Sequence, residues 1–361
     1  MVCERGGSEL KFLIDIGHPA HVHFFKNVVH SLKGSQHEVL ITSRKKDCAL
    51  DLLDELGLSH RRISEEHSGT VVAMAQELVV RNWRLAQIAK EFRPDVMTGV
   101  GGICVAQVGA ILRIPTVVFY DTENAKLQNS LTYPFARKVV VPDCYLGRTP
   151  KARTLKYRGY HELSYLRDTD FTPNRDVAVE AGLAESGDTF LIRVVSWQAN
   201  HDIGESGWSE SLLRAATERL SKQGKVIISS ELALPSDLRR FRYLGSSHAM
   251  HDLIAYCRMT LVESATVASE SAILGTPSIF AANVSRGYLD DIAERYGLIK
   301  IIKKVSWPVV SRAIDETLSV SPLAWEASRK RLLDETTNVV EMTQHALCST
   351  AKQGITQAVN S

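Results

Sequence analysis

Short apolar runs punctuate the first part of the chain: KFLIDI (11–16), HEVLITS (37–43), DVMTGV (95–100), PTVVFY (115–120) and KVVVP (138–142). Most are apolar at successive positions, as strands buried on both faces require. Between them the apolar spacing switches to that of helices. Phe24, Phe25, Val28, Val29 and Leu32 share one helical face, and Ala49, Leu52, Leu53 and Leu56 share another, with Gly57 placed to end it. A long helical stretch from Val71 to Phe92 stops before Pro94, LSHRRI (58–63) reads as a further strand, and GGICVAQVGAILRI reads as a glycine-opened helix. Strand–helix alternation of this kind builds a mostly parallel sheet covered by helices, an α/β fold.

The pattern then restarts. DTFLIRVVS (188–196), KVIIS (225–229), MTLVE (259–263) and TPSIFAA (276–282) are strands. Helical faces lie between or beside them, at Leu212, Leu213, Ala216 and Leu220, in HDLIAYC, in VASESAILG, and from Tyr288 to Tyr296. Two α/β units in series suit a chain of 361 residues, which is long for a single core. The join falls within 148–176, where Pro, Gly and charge replace periodicity. From Pro322 to about Leu347 the pattern is helical again, and the last dozen residues read as frayed.

Composition narrows the function. Lys+Arg of 43 against Asp+Glu of 41, with no basic block, gives a nucleic-acid partner no electrostatic support. The six cysteines are scattered without a C-x-x-C pair, which fits a reducing cytoplasm better than a disulfide framework or a zinc knuckle. The first residues lack the apolar core of a signal peptide, and the most apolar window is cut by Arg113 and Pro115. No transmembrane segment is expected; peripheral contact with the inner membrane face stays open.

Chemistry in open parallel sheets gathers where strands feed into helix N-termini, which offer unpaired N–H groups to a phosphate. VESATVASESAILGTPSIF (262–280) scores highest. Ser264 and Thr266 follow a strand end with small neighbours, and Glu270 lies one turn into the helix, placed to accept ribose hydroxyls. The plainer reading is an N-capped helix with Glu270 on its exposed face. RVVSWQANHDIG (193–204) offers Arg193, Trp197 and His201 to a phosphate, against a salt-bridged arginine and a packing tryptophan. SSELALP (229–235) brings Ser230 and Glu231, and FYDTENAKLQN (119–129) brings Asp121 and Glu123; caps explain either pair as well. GVGG (99–102) does not complete G-x-G-x-x-G, and no P-loop or G-x-S-x-G elbow occurs. The loop GHPAHVHF holds His18, His21 and His23 without a carboxylate cluster, so a base or anion contact outranks both a buried structural cluster and a metal site there.

With DIGHPAHVHFFKN, FYDTENAKLQN, YRGYHELSYL, RVVSWQANHDIG, MHDLIAYC and ATVASESAILGTPSIF, residues 11 to about 345 resemble the domain of unknown function 354 family. That family belongs with GT-B-type proteins, including the peptidoglycan lipid-intermediate N-acetylglucosaminyltransferase and the non-hydrolysing UDP-N-acetylglucosamine 2-epimerases. The resemblance implies two Rossmann-like domains facing a cleft, here 1–165 and 166–320, with 321–361 as a C-terminal helix crossing back and a tail. It further implies a ribose contact at Glu270, a diphosphate loop at Ser264 and Thr266, and a phosphate-reaching segment from Arg193 through Trp197 to His201. His21 falls where the transferase places a histidine, and Glu123 near an epimerase catalytic glutamate. His18, His23 and Lys26 would line the cleft wall. The expectation is a metal-independent glycosyltransferase of glycan or polysaccharide biosynthesis, using a UDP-linked sugar donor, no further cofactor, and a glycan or lipid-linked acceptor. An epimerase and a non-catalytic sugar-nucleotide or glycan-binding scaffold are the alternatives. GVGG lacks the epimerase's aspartate, and His18 and Pro19 replace the transferase's glycine-rich first loop.

Overall fold

The computed structural model describes residues 9–45, 48–65, 71–123, 126–195, 207–284 and 286–359. The chain divides into two compact units, Met1–Tyr165 with Thr337–Ser361, and Leu166–Thr336.

The first unit is built on strands β1 (Lys11–Ile16), β2 (Glu38–Lys45), β3 (His60–Glu65), β4 (Val96–Val100), β5 (Thr116–Phe119), β6 (Lys138–Pro142) and β7 (Thr154–Tyr157). They form one sheet in the order β3-β2-β1-β4-β5-β6-β7, and every pairing is parallel. Leu13 of β1 stands between Leu40 and Met97, and Val118 of β5 stands between Gly99 and Val139. Helices α1 (Pro19–Gly34), α2 (Ala49–Glu55), α3 (Val71–Phe92), α4 (Ile103–Leu112) and α5 (Lys126–Thr132) make the crossovers, and α6 (Leu163–Leu166) ends the unit. On α1 the face Val22, Phe25, Val28, Val29 and Leu32 is fully buried.

The second unit carries β8 (Asp188–Val194), β9 (Gly224–Ser230), β10 (Met259–Val262), β11 (Ser278–Ala281) and β12 (Ile299–Ile302), again all parallel, in the order β12-β11-β10-β8-β9. Its helices are α7 (Arg175–Glu180), α8 (Glu210–Ser221), α9 (Met250–Tyr256), α10 (Ala265–Leu274), α11 (Gly287–Tyr296), α12 (Trp307–Ser319) and α13 (Pro322–Glu335). Ser209 caps α8 by accepting the Leu212 N–H, and Leu212, Leu213, Ala216 and Leu220 then face the core. Gly275 closes α10 at φ +88°, a left-handed conformation that costs a residue without a side chain little.

Several elements depart from the expectations. The join at 148–176 contains β7, whose four residues TLKY are too few to show a period. β12 is equally short and was not expected either. The histidine loop is the start of α1, because Pro19 at its first turn already has the helical φ. The chain does not fray at 350: α14 (Val339–Val359) continues to the last described residue. The expected segment 321–361 divides between the units, with α13 in the second and Thr337 onward in the first.

α14 packs on α1, where Gln344 accepts a hydrogen bond from Ser31 (2.8 Å) and donates one to Ser35 (3.1 Å). Val339, Ala346, Leu347 and Ala351 are buried there. Leu347 is fully buried, so Leu347→Ala should cost about 2–5 kcal/mol in urea unfolding. A loss below about 0.5 kcal/mol, the level of surface substitutions, would show that α14 does not belong to this core.

Candidate functional site

Because all strands of each sheet run the same way, every strand-to-helix loop emerges on one edge. Ligands favour the point where strand order reverses. In the first unit that point lies between β1 and β4, in the second between β8 and β10. His18 and His21 follow β1, Gly101 follows β4, residues from 195 follow β8, and Glu263 to Thr266 follow β10.

At the first switch point the three histidines separate. His18 is the extended residue that caps α1, its Nδ1 accepting the Ala20 N–H at 3.2 Å. His21 sits in the first turn with its ring centroid 5.8 Å from that of His18, and its Nδ1 accepts the Gly17 N–H at 3.4 Å. His23 instead stacks on Tyr165 (5.1 Å, 28°), and Lys26 Nζ lies 5.8 Å from the same ring centroid. The expected wall of His18, His21, His23 and Lys26 is therefore two groups, one at the helix start and one packed on Tyr165.

Two further carboxylates follow β5. Asp121 Oδ2 lies 3.2 Å from His161 Nδ1, and its Oδ1 accepts from the Thr122 hydroxyl at 3.0 Å. Burial works to raise this carboxyl, but the charge and hydrogen bond of His161, the Thr122 hydroxyl and the charge of His21 pull it down to about 2. Glu123, expected to be catalytic, accepts the Leu146 N–H at 3.4 Å. Asp121, not Glu123, is the acid paired with a histidine. Gly101 explains the GVGG run: its carbonyl accepts from Tyr120 (3.0 Å), Gln128 (2.8 Å) and Thr132 (3.3 Å). A methyl group there would lie 1.9 Å from Gln128 Nε2, and φ is +67°. The glycine serves the turn itself.

At the second switch point Glu263 is almost fully buried and accepts two backbone N–H groups, from Val195 (3.1 Å) and Trp208 (2.8 Å). It thereby anchors both ends of the β8–α8 connection. Trp197 and His201 of that connection lie outside the described residues. Arg193 does not stand open for a phosphate; it donates to Ser229 Oγ (2.8 Å) and Glu231 Oε1 (2.6 Å). Ser230 makes a tight turn, its Oγ accepting the Leu232 N–H and donating to the Leu232 carbonyl. Ser264 caps α10 by accepting the Val267 N–H, and Thr266 occupies the first turn. Glu270 is not on an exposed face: it is 5% exposed and its Oε1 lies 2.9 Å from His251 Nε2 of α9. Its place on the inner side of α10 is compatible with burial because His251 offers it a polar partner.

Glu263, His251, His161 and the pairing of Asp121 are what sequence reasoning missed. YRGYHELSYL and MHDLIAYC contain two of these residues, but nothing in their spacing names a partner more than a dozen positions away. Among the described residues, no group of three or more His, Cys, Asp or Glu is arranged to hold a metal.

Residues 10–290 match the family described as Protein of unknown function (DUF354), and the chain belongs to that family. An uncharacterized protein of Methanocaldococcus jannaschii is 25% identical over 129 residues, a match spanning 36% of this chain and only 38% of that relative's length. Among solved structures, UDP-N-acetylglucosamine 2-epimerase from Rickettsia bellii superposes with a TM-score of 0.69 at 13% identity, over 96% of this chain and 98% of that one. The UDP-GlcNAc 2-epimerase from Neisseria meningitidis bound to UDP-GlcNAc gives 0.64 at 12% identity, over 98% and 100%. The spinosyn rhamnosyltransferase SpnG complexed with thymidine diphosphate gives 0.63 at 13% identity, over 92% and 99%. The fold is thus GT-B-like, with two Rossmann-like units.

Two outcomes follow from this geometry. Glu263→Ala leaves the Val195 and Trp208 N–H groups without their carboxylate and should cost about 2–4 kcal/mol in urea unfolding; a cost under about 0.5 kcal/mol would refute the anchor. Asp121 titrates near 2 when folded against an ordinary 3.8, so it stabilises the fold above about pH 4 and that contribution is lost as pH falls through 2. Its side chain keeps 27% of its surface, so the term is about 1–2 kcal/mol rather than the full value of the shift. The stability difference between the wild type and Asp121→Asn should shrink from pH 5 to pH 2; a difference constant over that range would contradict it.

Proposed function

We propose that the protein is a metal-independent, nucleotide-sugar-dependent glycosyltransferase of glycan or polysaccharide biosynthesis. The observation that carries this reading is the ionised Asp121 carboxylate, paired with His161 and in the field of His21, beside the strand-order reversal of the first sheet. Fold neighbours holding UDP-GlcNAc, UDP or thymidine diphosphate support a nucleotide diphosphate as the donor's handle.

In this reading the second unit binds the donor. The α10 N-terminus presents N–H groups and a partial positive charge to a diphosphate, with the Ser264 and Thr266 hydroxyls beside it. Glu270, oriented by His251, accepts from the ribose. Arg193 already has Glu231 as its counter-ion, so it contributes to an anion site only by exchanging that partner.

The first unit supplies the base. The acceptor hydroxyl oxygen attacks the anomeric carbon, the bond from that carbon to the diphosphate oxygen breaks, and the diphosphate leaves with the electron pair. The acceptor proton goes to His21. As the structure stands, the Gly17 contact at 3.4 Å puts the neutral ring's proton on Nε2, a donor. A contact so long is cheaply given up, and Asp121 then stabilises the imidazolium that forms. Charge stabilisation and substrate alignment supply the rest of the acceleration, with no cofactor beyond the donor. The acceptor is a glycan or a lipid-linked glycan. No helix among the described residues is long and apolar enough to cross a membrane. A cytoplasmic enzyme that meets a lipid-linked acceptor at the inner membrane face fits this reading.

Epimerases that superpose over 96% and 98% of the chain keep a 2-epimerase as the second reading. Millimolar UDP, GDP, thymidine diphosphate or their sugars should raise the melting temperature by several degrees, since ligand at about a hundred times its Kd adds roughly 2.7 kcal/mol. No shift with any of them would sink both readings. UDP-N-acetylglucosamine incubated in D2O without acceptor should keep its C2 proton; deuterium at C2 would select the epimerase. His21→Ala should retain ligand-induced stabilisation and lose about 10²–10⁴ in turnover, whereas a binding scaffold has no turnover to lose.

A further inference from the structure

His161 follows β7 in the first unit and is 7% exposed. Its Nδ1 faces Asp121 at 3.2 Å, while its Nε2 is out of reach of solvent and has no hydrogen-bond partner. The ring lies 4.6 Å from Phe24, which itself packs on Phe25 and Phe119. Aromatic packing of this kind is a poor place to strand a ring nitrogen, and a residue kept for packing alone would be a leucine or phenylalanine. The one interaction that rewards an imidazole here is the bond through Nδ1.

With Nε2 unpartnered, the neutral ring places its proton on Nδ1 and donates it to Asp121 Oδ2. The other Asp121 oxygen takes the Thr122 hydroxyl. Both oxygens are thereby engaged and the carboxylate has a fixed rotamer. We propose that His161 is a positioning residue that locks the Asp121 carboxylate in the orientation it presents to His21 of α1.

The surroundings agree. The groups that face Asp121 are His21 from α1, Thr122 beside it, and His161 and Tyr157 from the β7 end; Tyr157 in turn faces Glu162, Asp143 and Cys144. Burial keeps the Tyr157 phenol protonated, so it does not compete with histidine for a proton. Its hydroxyl is a second buried group without a hydrogen-bond partner. His161 holds Asp121 at hydrogen-bonding distance, Nδ1 to Oδ2 at 3.2 Å.

Near-isosteric substitutions separate the two ring nitrogens. In His161→Asn the amide N–H reaches the place of Nδ1; in His161→Gln it reaches the place of Nε2. In ligand-free protein followed by carboxyl NMR, Asp121 should move up from its wild-type midpoint of about 2 in both variants, because each removes the charge of His161, but less in His161→Asn, which keeps the hydrogen bond, than in His161→Gln. An unchanged midpoint in His161→Gln, or an equal shift in both variants, overturns the proposal. This measurement uses no substrate and stands apart from the transferase reading. The kinetic arm rests on that reading: kcat should fall about tenfold or more in His161→Gln with KM little changed, and the acid limb of the pH profile should move up with Asp121. His161→Asn should restore most of the lost kcat. Loss of kcat in both variants with Asp121 unmoved would make His161 an independent catalytic group and overturn positioning through Asp121.

Discussion

Parallel pairing is the constraint on which the rest of the molecule depends. A parallel strand cannot return through a tight turn, so each of these sheets must send its chain across a helix before the next strand begins. All connections of one kind then gather on one edge, and the reversal of strand order opens a gap between two of them. That gap is where β1 delivers His18 and His21 in the first unit, and where β8 and β10 deliver Arg193, Glu263 and Ser264 in the second. A chain with antiparallel sheets and the same residues would scatter these groups over two edges.

Charge placement follows from that edge. Ionisable groups near it are matched among the described residues: Asp15 accepts from Thr42 and Arg81, the partly exposed Arg193 meets Glu231, Glu270 meets His251, and Asp121 meets His161. Buried charges left alone would cost several kcal/mol each, so pairing is the condition under which they are retained at all. The pairs also limit chemistry. Arg193 is already neutralised, whereas Asp121 is held ionised next to two histidines, and this contrast is why acid–base chemistry is assigned to the first unit.

Much of the fold was legible because parallel strands buried on both faces write continuous apolar runs, and α3 was readable from Val71 to Phe92 by spacing and Pro94. The short strands β7 and β12 were not, since four residues carry no period. The last dozen residues read as frayed in sequence because their polar side chains lack an obvious stripe, yet α14, packed on α1 at Gln344, runs on to Val359. In the site, positions were legible and pairings were not. Ser264 as a cap and Glu270 one turn into α10 could be placed by spacing. That Glu270 turns inward to His251 could not, because the two lie on separate helices and meet only when the sheet brings α9 beside α10.

By itself, then, the sequence determined the α/β class, the two units, the order of most strands and helices, and the loops where functional groups collect. These follow from local physics: period, caps and breakers act within a few residues. Tertiary structure decided which of those groups meet. It made Asp121 rather than Glu123 the partner of a histidine, separated His23 and Lys26 from His18 and His21, and gave Arg193 a counter-ion. Hydrogen bonds and ion pairs act over a few ångströms of space, and distance along the chain does not report them.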